Sequence, residues 1–285
     1  MRCIKWASLF ALTITLTPVS LWADDPEESS EVVTADGCKA FDVQIDFSAG
    51  VIEIMPADIS DLLKLDVYYT PRSVRYSVEK TERADRCDVF LASERRGSWS
   101  DEDSDNEWTL QLSRKYPMAL EIEIGACEAR MDLGGIPLSE LVMDIGAADL
   151  ELDFTKPNPV VMKELSVDCG ASSMEIKGLA YANAKMMSFE IGAGSCEVDL
   201  RGEIKGEVEI EVSVGVGSMD IILPQGVAVM VDGDDDWLSS LDFSGLDLEE
   251  TRRGTWETDG FAKAANRVII NADVAMGSIS IYARR

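Results

Sequence analysis

The chain has 285 residues, with 26 Lys and Arg against 53 Asp and Glu, six cysteines and no histidine. The lack of histidine excludes Ser-His-Asp triads, Cys-His pairs, HExxH zinc sites and histidine-based pH switches. A formal net charge of −27 argues against nucleic-acid binding, which needs clustered Lys and Arg, while 46% hydrophobic residues are enough to build a core.

The N-terminal residues 1–23 have the features of an export signal. Arg2 and Lys5 supply a positive start, and residues 6–16 form an apolar run. The run is shorter than the ~20 apolar residues that span a bilayer, and Pro18 interrupts it, so a cleaved signal peptide is favoured over a membrane anchor. We therefore expect an exported protein, periplasmic or secreted, with no transmembrane segment after signal cleavage.

The segment after the signal is rich in acidic residues. We predict an acidic linker at residues 24–40, followed by an N-terminal β part of the fold at residues 41–118. Cys38 and Cys87 flank the irregular portion of this part, and an exported chain meets oxidising conditions. A Cys38–Cys87 disulfide is therefore the preferred pairing. The odd number of cysteines left after cleavage means that at least one thiol stays free or pairs with another chain.

A repeat of about 22 residues organises residues 119–285. Five segments superpose without gaps: 120–133, 141–154, 165–178, 187–200 and 210–223. Each carries a glycine in the same slot, at Gly125, Gly146, Gly170, Gly192 and Gly215. An earlier copy at residues 43–55 and a final copy at 270–282 have Ser48 and Ala275 in that slot. Such regular spacing is typical of a repeat fold.

Polar and apolar residues alternate on both sides of the repeated glycine, which indicates strands with one buried face. One apolar column consists of Ala129, Leu150, Met174, Cys196 and Met219. The polar face before the glycine carries Glu121, Glu123, Asp144, Asp168, Glu190 and Glu211. A unit this short cannot cover its own apolar side, so each strand should pair with the same strand one turn later. The sequence thus predicts an all-β, single-chain β-solenoid (β-helix), with a sharp corner at each glycine that often needs positive φ.

Residues 232–266 interrupt the repeat before the last strand pair resumes it. We interpret this insertion as a C-terminal capping flap, because the end of a solenoid exposes strand edges. Trp237 and Trp256 within it are candidate anchors for a binding partner. Packing of the flap on the last coils is the favoured interpretation, since Trp is usually largely buried.

The remaining motifs predict no catalytic, cofactor-binding or metal-binding residues. Gly192-Ala-Gly194 lacks the third glycine and the following helix of a dinucleotide fingerprint. Cys127, Cys169 and Cys196 fall where other units carry apolar residues, so we expect small buried hydrophobes there. The acidic rows lack the calcium-binding nonapeptide and are interpreted as a solvated face.

Six sequence elements occur in an order that resembles a known family. They are residues 41–54, the strand at 106–112, the Ile-Gly-Ala units from Leu120, and residues 214–221, 223–227 and 276–281. In this order they resemble the toast-rack group of bacterial envelope proteins, which includes the extracytoplasmic module of LiaF-like cell-wall-stress regulators and many candidate adhesins. The resemblance covers about residues 41–285. It implies a β-solenoid in the envelope and carries over no catalytic residues; unlike LiaF-like members, this chain has an export signal in place of several membrane spans.

Together these observations favour a non-catalytic exported envelope protein that presents a β-solenoid surface to a protein or cell-wall partner. A link to the envelope stress response fits the resemblance. Two alternatives stay open. One is a carbohydrate-active β-helix enzyme, with a carboxylate pair such as Asp168 and Glu190 as acid and base. The other is an acidic, calcium-responsive adhesion module.

Overall fold

The computed structural model describes residues 25–96, 105–233 and 238–284, so the predicted signal peptide at residues 1–23 lies outside the described part. The fold is all-β, as predicted. Within these ranges the only helical elements are two 3-10 turns, at Leu179–Tyr181 and Phe261–Lys263. No helix in these ranges has the length and apolar character that crossing a membrane requires.

The strands belong to one open 16-stranded sheet. In chain order they are β1 Glu27–Val33, β2 Ala40–Ala57, β3 Leu63–Tyr69, β4 Val74–Arg83, β5 Arg86–Arg95, β6 Asn106–Ser113, β7 Met118–Asp132, β8 Leu138–Asp153, β9 Met162–Lys177, β10 Ala184–Asp199, β11 Glu207–Pro224, β12 Ala228–Gly233, β13 Ser239–Ser244, β14 Leu248–Arg252, β15 Thr255–Thr258 and β16 Arg267–Arg284.

The body of the sheet stacks the repeats in parallel register, in the order β2, β7, β8, β9, β10, β11 and β16. Equivalent slots lie side by side: Leu150 pairs with Met174, Met174 with Cys196, and Cys196 with Met219. All four side chains are buried. The prediction that like residues form a continuous internal column is therefore confirmed.

Each repeat is one long strand that passes through the glycine, and this strand is bent. The 16 residues of β8 would reach about 50 Å if straight. The connection at residues 154–161 can span at most about 30 Å, yet it returns the chain to the start of the next in-register strand. The strand must therefore fold back at its corner. We call the portions before and after the glycine the first and second limbs; their inner faces share one hydrophobic core.

The repeated glycine is required by close approach between neighbouring strands. A Cβ on Gly146 would lie 2.5 Å from the carbonyl oxygen of Gly125 on the preceding strand. Positive φ is instead found two residues later, as at Gly194 (135°) and Gly217 (145°). The expectation of positive φ at the repeated glycine of each unit is therefore wrong. Glycine occupies this slot because the neighbouring backbone lies so close, and not because the chain turns with positive φ there. Ser48 is tolerated in this slot because β5 pairs with β2 only up to Phe47 and β6 only from Val51. Ala275 carries a methyl group in this slot beside Gly215, so the last strand accommodates a small side chain there.

The N-terminal end divides over the two limbs of β2. Strand β5 pairs with the first limb of β2, and β4 forms an antiparallel hairpin with β5. Strand β6 pairs with the second limb of β2, β3 pairs antiparallel with β6, and β1 pairs antiparallel with β3. The segment predicted as a linker at residues 24–40 thus contains strand β1. Its polar composition gave no sequence signal for a strand that pairs with β3. The predicted Cys38–Cys87 disulfide is present, with the Cα atoms 5.7 Å apart.

At the C-terminal end, β16 lies between β11 and the pair β12 and β13. Strand β12 covers the first limb of β16 and β13 covers its second limb, and β14 and β15 form a hairpin beside β12. Of the insertion predicted at residues 232–266, β13 covers the second limb of the last repeat strand, whereas β12, which covers the first limb, mostly precedes the insertion. Trp256 is half-buried and packs on Phe243, with 5.2 Å between ring centroids, which agrees with the packing interpretation. Trp237 lies outside the described residues.

Candidate interaction surface

The outer face of the first limbs carries a row of carboxylates. Its members are exposed and lie in register on five adjacent strands: Asp46, Glu123, Asp144, Asp168 and Glu190. Neighbouring strands are about 4.8 Å apart, so each carboxylate stands beside another of the same charge. No Lys or Arg of the described chain forms an ion pair with them. Like charges in directly opposed positions reduce the stability of a sheet, so this row does not serve folding.

The outer face of the second limbs is partly neutralised. Its row consists of Glu53, Arg130, Glu151, Glu175, Glu197 and Asp220 on adjacent strands. Arg130 forms an ion pair with Glu128, and Lys177 Nζ lies 2.7 Å from Glu175 Oε1. The two limbs therefore differ: the first presents unpaired acids, and the second presents a mixed surface.

The carboxylate pair proposed for an enzyme is adjacent but open. Asp168 and Glu190 are register partners on β9 and β10, and both side chains are exposed on the outer face. No group of three Asp, Glu, Cys or His side chains in the described ranges could hold a metal ion. Glu190 lines a concavity on this face together with Glu211 and Asp273, and Asp168 lies outside its lining.

The cysteines inside the repeat lie at positions that disfavour reactivity. Cys169 and Cys196 are buried, and Cys127 is half-buried at the corner. Loss of water contact raises the pKa of all three thiols, that of Cys127 and that of Cys196 to about 12. These thiols stay protonated at neutral pH, so the prediction of small buried hydrophobes is confirmed for Cys169 and Cys196 and holds in part for Cys127.

A small cavity of about 190 Å³ lies between the connections that follow β8, β9 and β10. Its apolar walls are buried side chains: Leu179, Ala184, Met187, Ile204 and Val208. Exposed Tyr181 and the ion-paired Lys205 and Glu203 lie at its border. The cavity is large enough for one apolar side chain or a short alkyl group.

The outer side of the corner carries a row of side chains whose size changes along the sheet. Ala126, Ala147, Ala171 and Ala193 are followed by Val216 on β11 and Met276 on β16, its register partner. Leu238 continues the row beside Met276. Its carbonyl oxygen accepts a hydrogen bond of 3.1 Å from Gly277 N. The next residue, Ser239, is the register partner of Gly277. Val216, Met276 and Leu238 are 49%, 45% and 45% exposed. We call these three residues the corner patch.

Three aspartates lie three or four residues along the strands from the corner patch, and Ser218 and Ser240 lie between the patch and the aspartates of the second limbs. Asp220 and Asp242 lie four residues after Val216 and Leu238 on the second limbs, and Asp273 lies three residues before Met276. Asp242 accepts a hydrogen bond of 3.3 Å from Ser240 Oγ. None of the three aspartates forms an ion pair with the Lys and Arg side chains that the structure describes. On the second limbs the side chains next to the patch are thus serines, Ser218, Ser240 and Ser278, and the aspartates lie beyond them.

Sequence reasoning missed the corner patch, although part of its signal was present. The slot after the repeated glycine reads Ala, Ala, Ala, Ala, Val and Met from Ala126 to Met276, so the enlargement is visible in the repeat alignment. Leu238 carries no such signal. It joins the patch only because β13 pairs with the second limb of β16.

These features define an all-β protein built on an open sheet of stacked repeats with exposed faces. The chain belongs to the toast_rack family: the profile described as the N-terminal domain of toast_rack, DUF2154, matches residues 23–163 and 158–222. A search of curated proteins found no sequence that matches this chain.

The solved structures to which this chain is similar share little sequence with it. A putative cell adhesion protein from Clostridium sporogenes is 15% identical with a TM-score of 0.48, over 91% of this chain and 100% of the other. A putative adhesin from Bacteroides fragilis is 8% identical with a TM-score of 0.35, over 90% and 97%. A putative lipid-binding protein from Parabacteroides distasonis is 10% identical with a TM-score of 0.29, over 92% and 97%.

Proposed function

We propose that this protein is a non-catalytic, exported cell-envelope protein that uses its repeat sheet as a surface for binding a protein or a cell-wall component. The observation that carries the proposal is the unpaired carboxylate row from Asp46 to Glu190. A row repeats one chemical group at a fixed spacing, which suits multipoint contact with an extended partner. Catalysis instead needs different groups to converge on one reacting atom.

In this proposal the bent strands form coils of a β-solenoid. The short connections and the in-register return of each strand support a coil, because a straight strand could not be followed by so short a return. Residues 119–285 are then the repeat solenoid with its insertion at 232–266, and residues 41–118 are its N-terminal β part.

Export is the second component of the proposal. The basic start and short apolar run of residues 1–23 support a cleaved signal and a periplasmic or secreted protein. The Cys38–Cys87 disulfide is consistent with an oxidising compartment. Fractionation of producing cells, with N-terminal sequencing of the recovered chain, tests this component. We expect the chain outside the cytoplasm, beginning at Asp24; a cytoplasmic chain that begins at Met1 would refute export.

Binding is tested with the purified exported chain and intact cells or isolated envelopes. We expect saturable binding that weakens with salt, because exposed carboxylates act over distances that salt screens. A chain in which Asp144, Asp168 and Glu190 are replaced by their amides should bind less, and Glu151→Gln/Glu175→Gln/Glu197→Gln, which removes three charges from the other limb, is the matched control. Absence of saturable binding to any envelope fraction would contradict the proposal.

The two alternatives have direct tests. Incubation with a panel of polyuronides and neutral glycans should release no product; turnover that Asp168→Asn abolishes would establish the carbohydrate-active enzyme. Calorimetry with calcium should show no saturable heat. A calcium-dependent rise in melting temperature would favour the adhesion module instead.

A further inference from the structure

We propose that Tyr68, together with Glu28 and Glu107 on the strands beside it, is a docking site for an arginine side chain of a protein partner. The inference rests on the proposed binding function, of which it names the kind of partner and the place of contact. The site lies at the N-terminal end of the sheet, where β1, β3 and β6 extend the second limb of β2.

Tyr68 stands directly between two glutamates on three adjacent antiparallel strands. Its register partners are Glu28 on β1 and Glu107 on β6. Side chains directly opposite each other in such a pair have Cβ atoms about 4.5–5.5 Å apart, so both carboxylates lie beside the same ring. Tyr68 is 37% exposed and the preceding residue, Val67, is buried, so the three side chains lie on the outer face.

The Tyr68 ring lines an open concavity on this face. The lining comes from β1, β3 and β6 alone, and all of it belongs to strands that the structure describes. A single exposed aromatic residue on a flat surface needs no explanation. An aromatic side chain that lines a concavity among polar groups is typical of a binding site.

The two glutamates differ from the next acid along β3 in having no counter-charge. Asp66 forms an ion pair with Lys64, with 2.6 Å between Oδ2 and Nζ. No Lys or Arg in the described ranges forms an ion pair with Glu28 or Glu107, or lies over the Tyr68 ring. Reduced contact with water and the charges of nearby carboxylates, those of both glutamates included, raise the pKa of the Tyr68 phenol. An aromatic surface beside two negative charges attracts a cation.

The same chain contains a completed example of this arrangement. The Arg267 guanidinium lies over the Phe261 ring, 5.4 Å from the ring centroid. Its Nε donates a hydrogen bond of 2.6 Å to Glu207, the register partner of Arg267 on β11. A ring and a carboxylate on a neighbouring strand thus hold one guanidinium, and the Tyr68 site offers the same two groups to a guanidinium from outside.

A guanidinium fits this site better than the other candidate groups. It is planar, so it can stack on the ring and still direct N–H groups to carboxylates on two sides. An ammonium is a point charge, and the backbones of the two glutamates are about 10 Å apart, which favours contact with one carboxylate at a time. A neutral saccharide would leave both charges uncompensated, and an anionic partner would be repelled. Guanidinium groups are carried by proteins, so the partner is a protein and not a wall glycan.

The experiment uses the full exported chain with isotope-labelled tyrosine, whose six residues give a simple NMR spectrum. The probes are N-acetyl-arginine amide, N-acetyl-lysine amide, the neutral isostere N-acetyl-citrulline amide, and N,N′-diacetylchitobiose as a wall-type glycan. The Tyr68 signal is assigned by its loss in Tyr68→Leu. The signal of Tyr181, which is 42% exposed at the other end of the repeat body, reports non-specific binding.

The site variant is Glu28→Gln/Glu107→Gln. Its matched control is Glu151→Gln/Glu197→Gln, which removes two glutamates that likewise flank one residue, on β8 and β10. Thermal unfolding confirms that both variants fold.

We expect the arginine probe to shift the Tyr68 signal saturably, with a dissociation constant in roughly the millimolar range, because exposed cation–π contacts and ion pairs are individually weak. The lysine probe should bind about fivefold more weakly, since it keeps one carboxylate contact fewer. Citrulline and the glycan should produce no saturable shift. The site variant should lose the response to arginine, and the control should keep it.

Three results would overturn the inference. One is equal affinity for the arginine and lysine probes, which would remove the preference for a planar cation. Another is saturation by citrulline or by the glycan in place of arginine, which would make Tyr68 a platform for neutral groups. The third is unchanged arginine binding in the site variant.

Envelope binding separates this inference from the broader proposal. If Tyr68→Leu binds isolated envelopes as the wild-type chain does, Tyr68 is not the docking site and the proposed function stands. If the arginine probe saturates the site but the chain binds no envelope fraction, the arginine site stands and the proposed function fails.

Discussion

A Cβ atom on Gly170 would lie 2.6 Å from the carbonyl oxygen of Gly146 in the neighbouring strand. The same distance separates a Cβ on Gly192 from Gly170 O, so the contact recurs from strand to strand. Side-chain atoms do not occur that close to a backbone oxygen. The corner thus brings the strands β7 to β11 together along a line that glycine occupies, and Ser48 and Ala275 take the slot only on β2 and β16.

Gly170→Ala should therefore destabilise the fold. The added methyl group must push apart two backbones that are held by ladder hydrogen bonds, and overpacking of this kind costs about 1–3 kcal/mol. Urea denaturation of the variant measures the loss. Ser173→Ala, an exposed change three residues later on the same strand, should leave stability unchanged. Equal stability of both variants would show that the corner relaxes freely.

Met219→Ala should be far more damaging than Met186→Ala. Met219 is fully buried in the internal column between Cys196 and Ile279, while Met186 is 44% exposed. Truncation of a buried methionine leaves a cavity and costs about 2–5 kcal/mol. The exposed truncation should change the free energy of unfolding by less than about 0.5 kcal/mol. Similar losses in both variants would be inconsistent with the internal column.

The Cys38–Cys87 disulfide should contribute about 2–4 kcal/mol, because it closes a loop between residues that are 49 positions apart. Cys38→Ser/Cys87→Ser should lower the midpoint of denaturation, and a reductant should lower that of the wild-type chain to match. The reductant should have no effect on the double variant. A wild-type midpoint that is insensitive to the reductant would contradict this contribution.

Asp168→Asn should raise the melting temperature at low salt. The change removes one charge from between Asp144 and Glu190, its register partners, and so relieves repulsion along the row. The gain should shrink at high salt because exposed charges are screened. Glu175→Gln is the comparison, since Glu175 is paired with Lys177 and its removal should bring no gain. A salt-independent effect of Asp168→Asn would exclude charge repulsion as its cause.

Asp199 should make stability depend on pH. Burial tends to raise its pKa, but hydrogen bonds from the Arg201 side chain and backbone outweigh burial and hold the pKa below its ordinary value. A carboxyl group with a lowered pKa stabilises the fold above the pKa of the unfolded chain, and this stabilisation is lost as pH falls through the folded pKa.

Asp199→Asn should consequently lower the melting temperature at neutral pH, and the difference from the wild-type chain should begin to shrink near pH 4, the ordinary pKa of Asp, and disappear only below the lowered folded pKa. Thermal unfolding across a pH series measures it, with exposed Asp242→Asn as the control for loss of a charge. A difference that stays constant down to acidic pH would mean that the carboxylate's ionisation is irrelevant.

Much of the fold follows from local patterns. The alternation around Leu150, Met174, Cys196 and Met219 predicted buried faces and the order in which these strands stack, because neighbouring units must cover each other. The pairing of Cys38 with Cys87 was also predicted. Strand β1 was missed because Glu27–Val33 is polar and rich in glutamate and serine, a composition that resembles a linker until β3 provides its hydrogen bonds.

By itself, the sequence determined that the protein is an all-β stack of repeats with acidic outer rows, since period-two alternation and the repeated glycine are properties of each unit and its neighbour. Only the tertiary structure decided that β16 inserts between β11 and β12, and that Leu238 joins Val216 and Met276. The physical reason is that strand order at the end of a sheet depends on which edge offers unpaired hydrogen-bonding groups once the rest of the chain has folded. No local pattern encodes that choice.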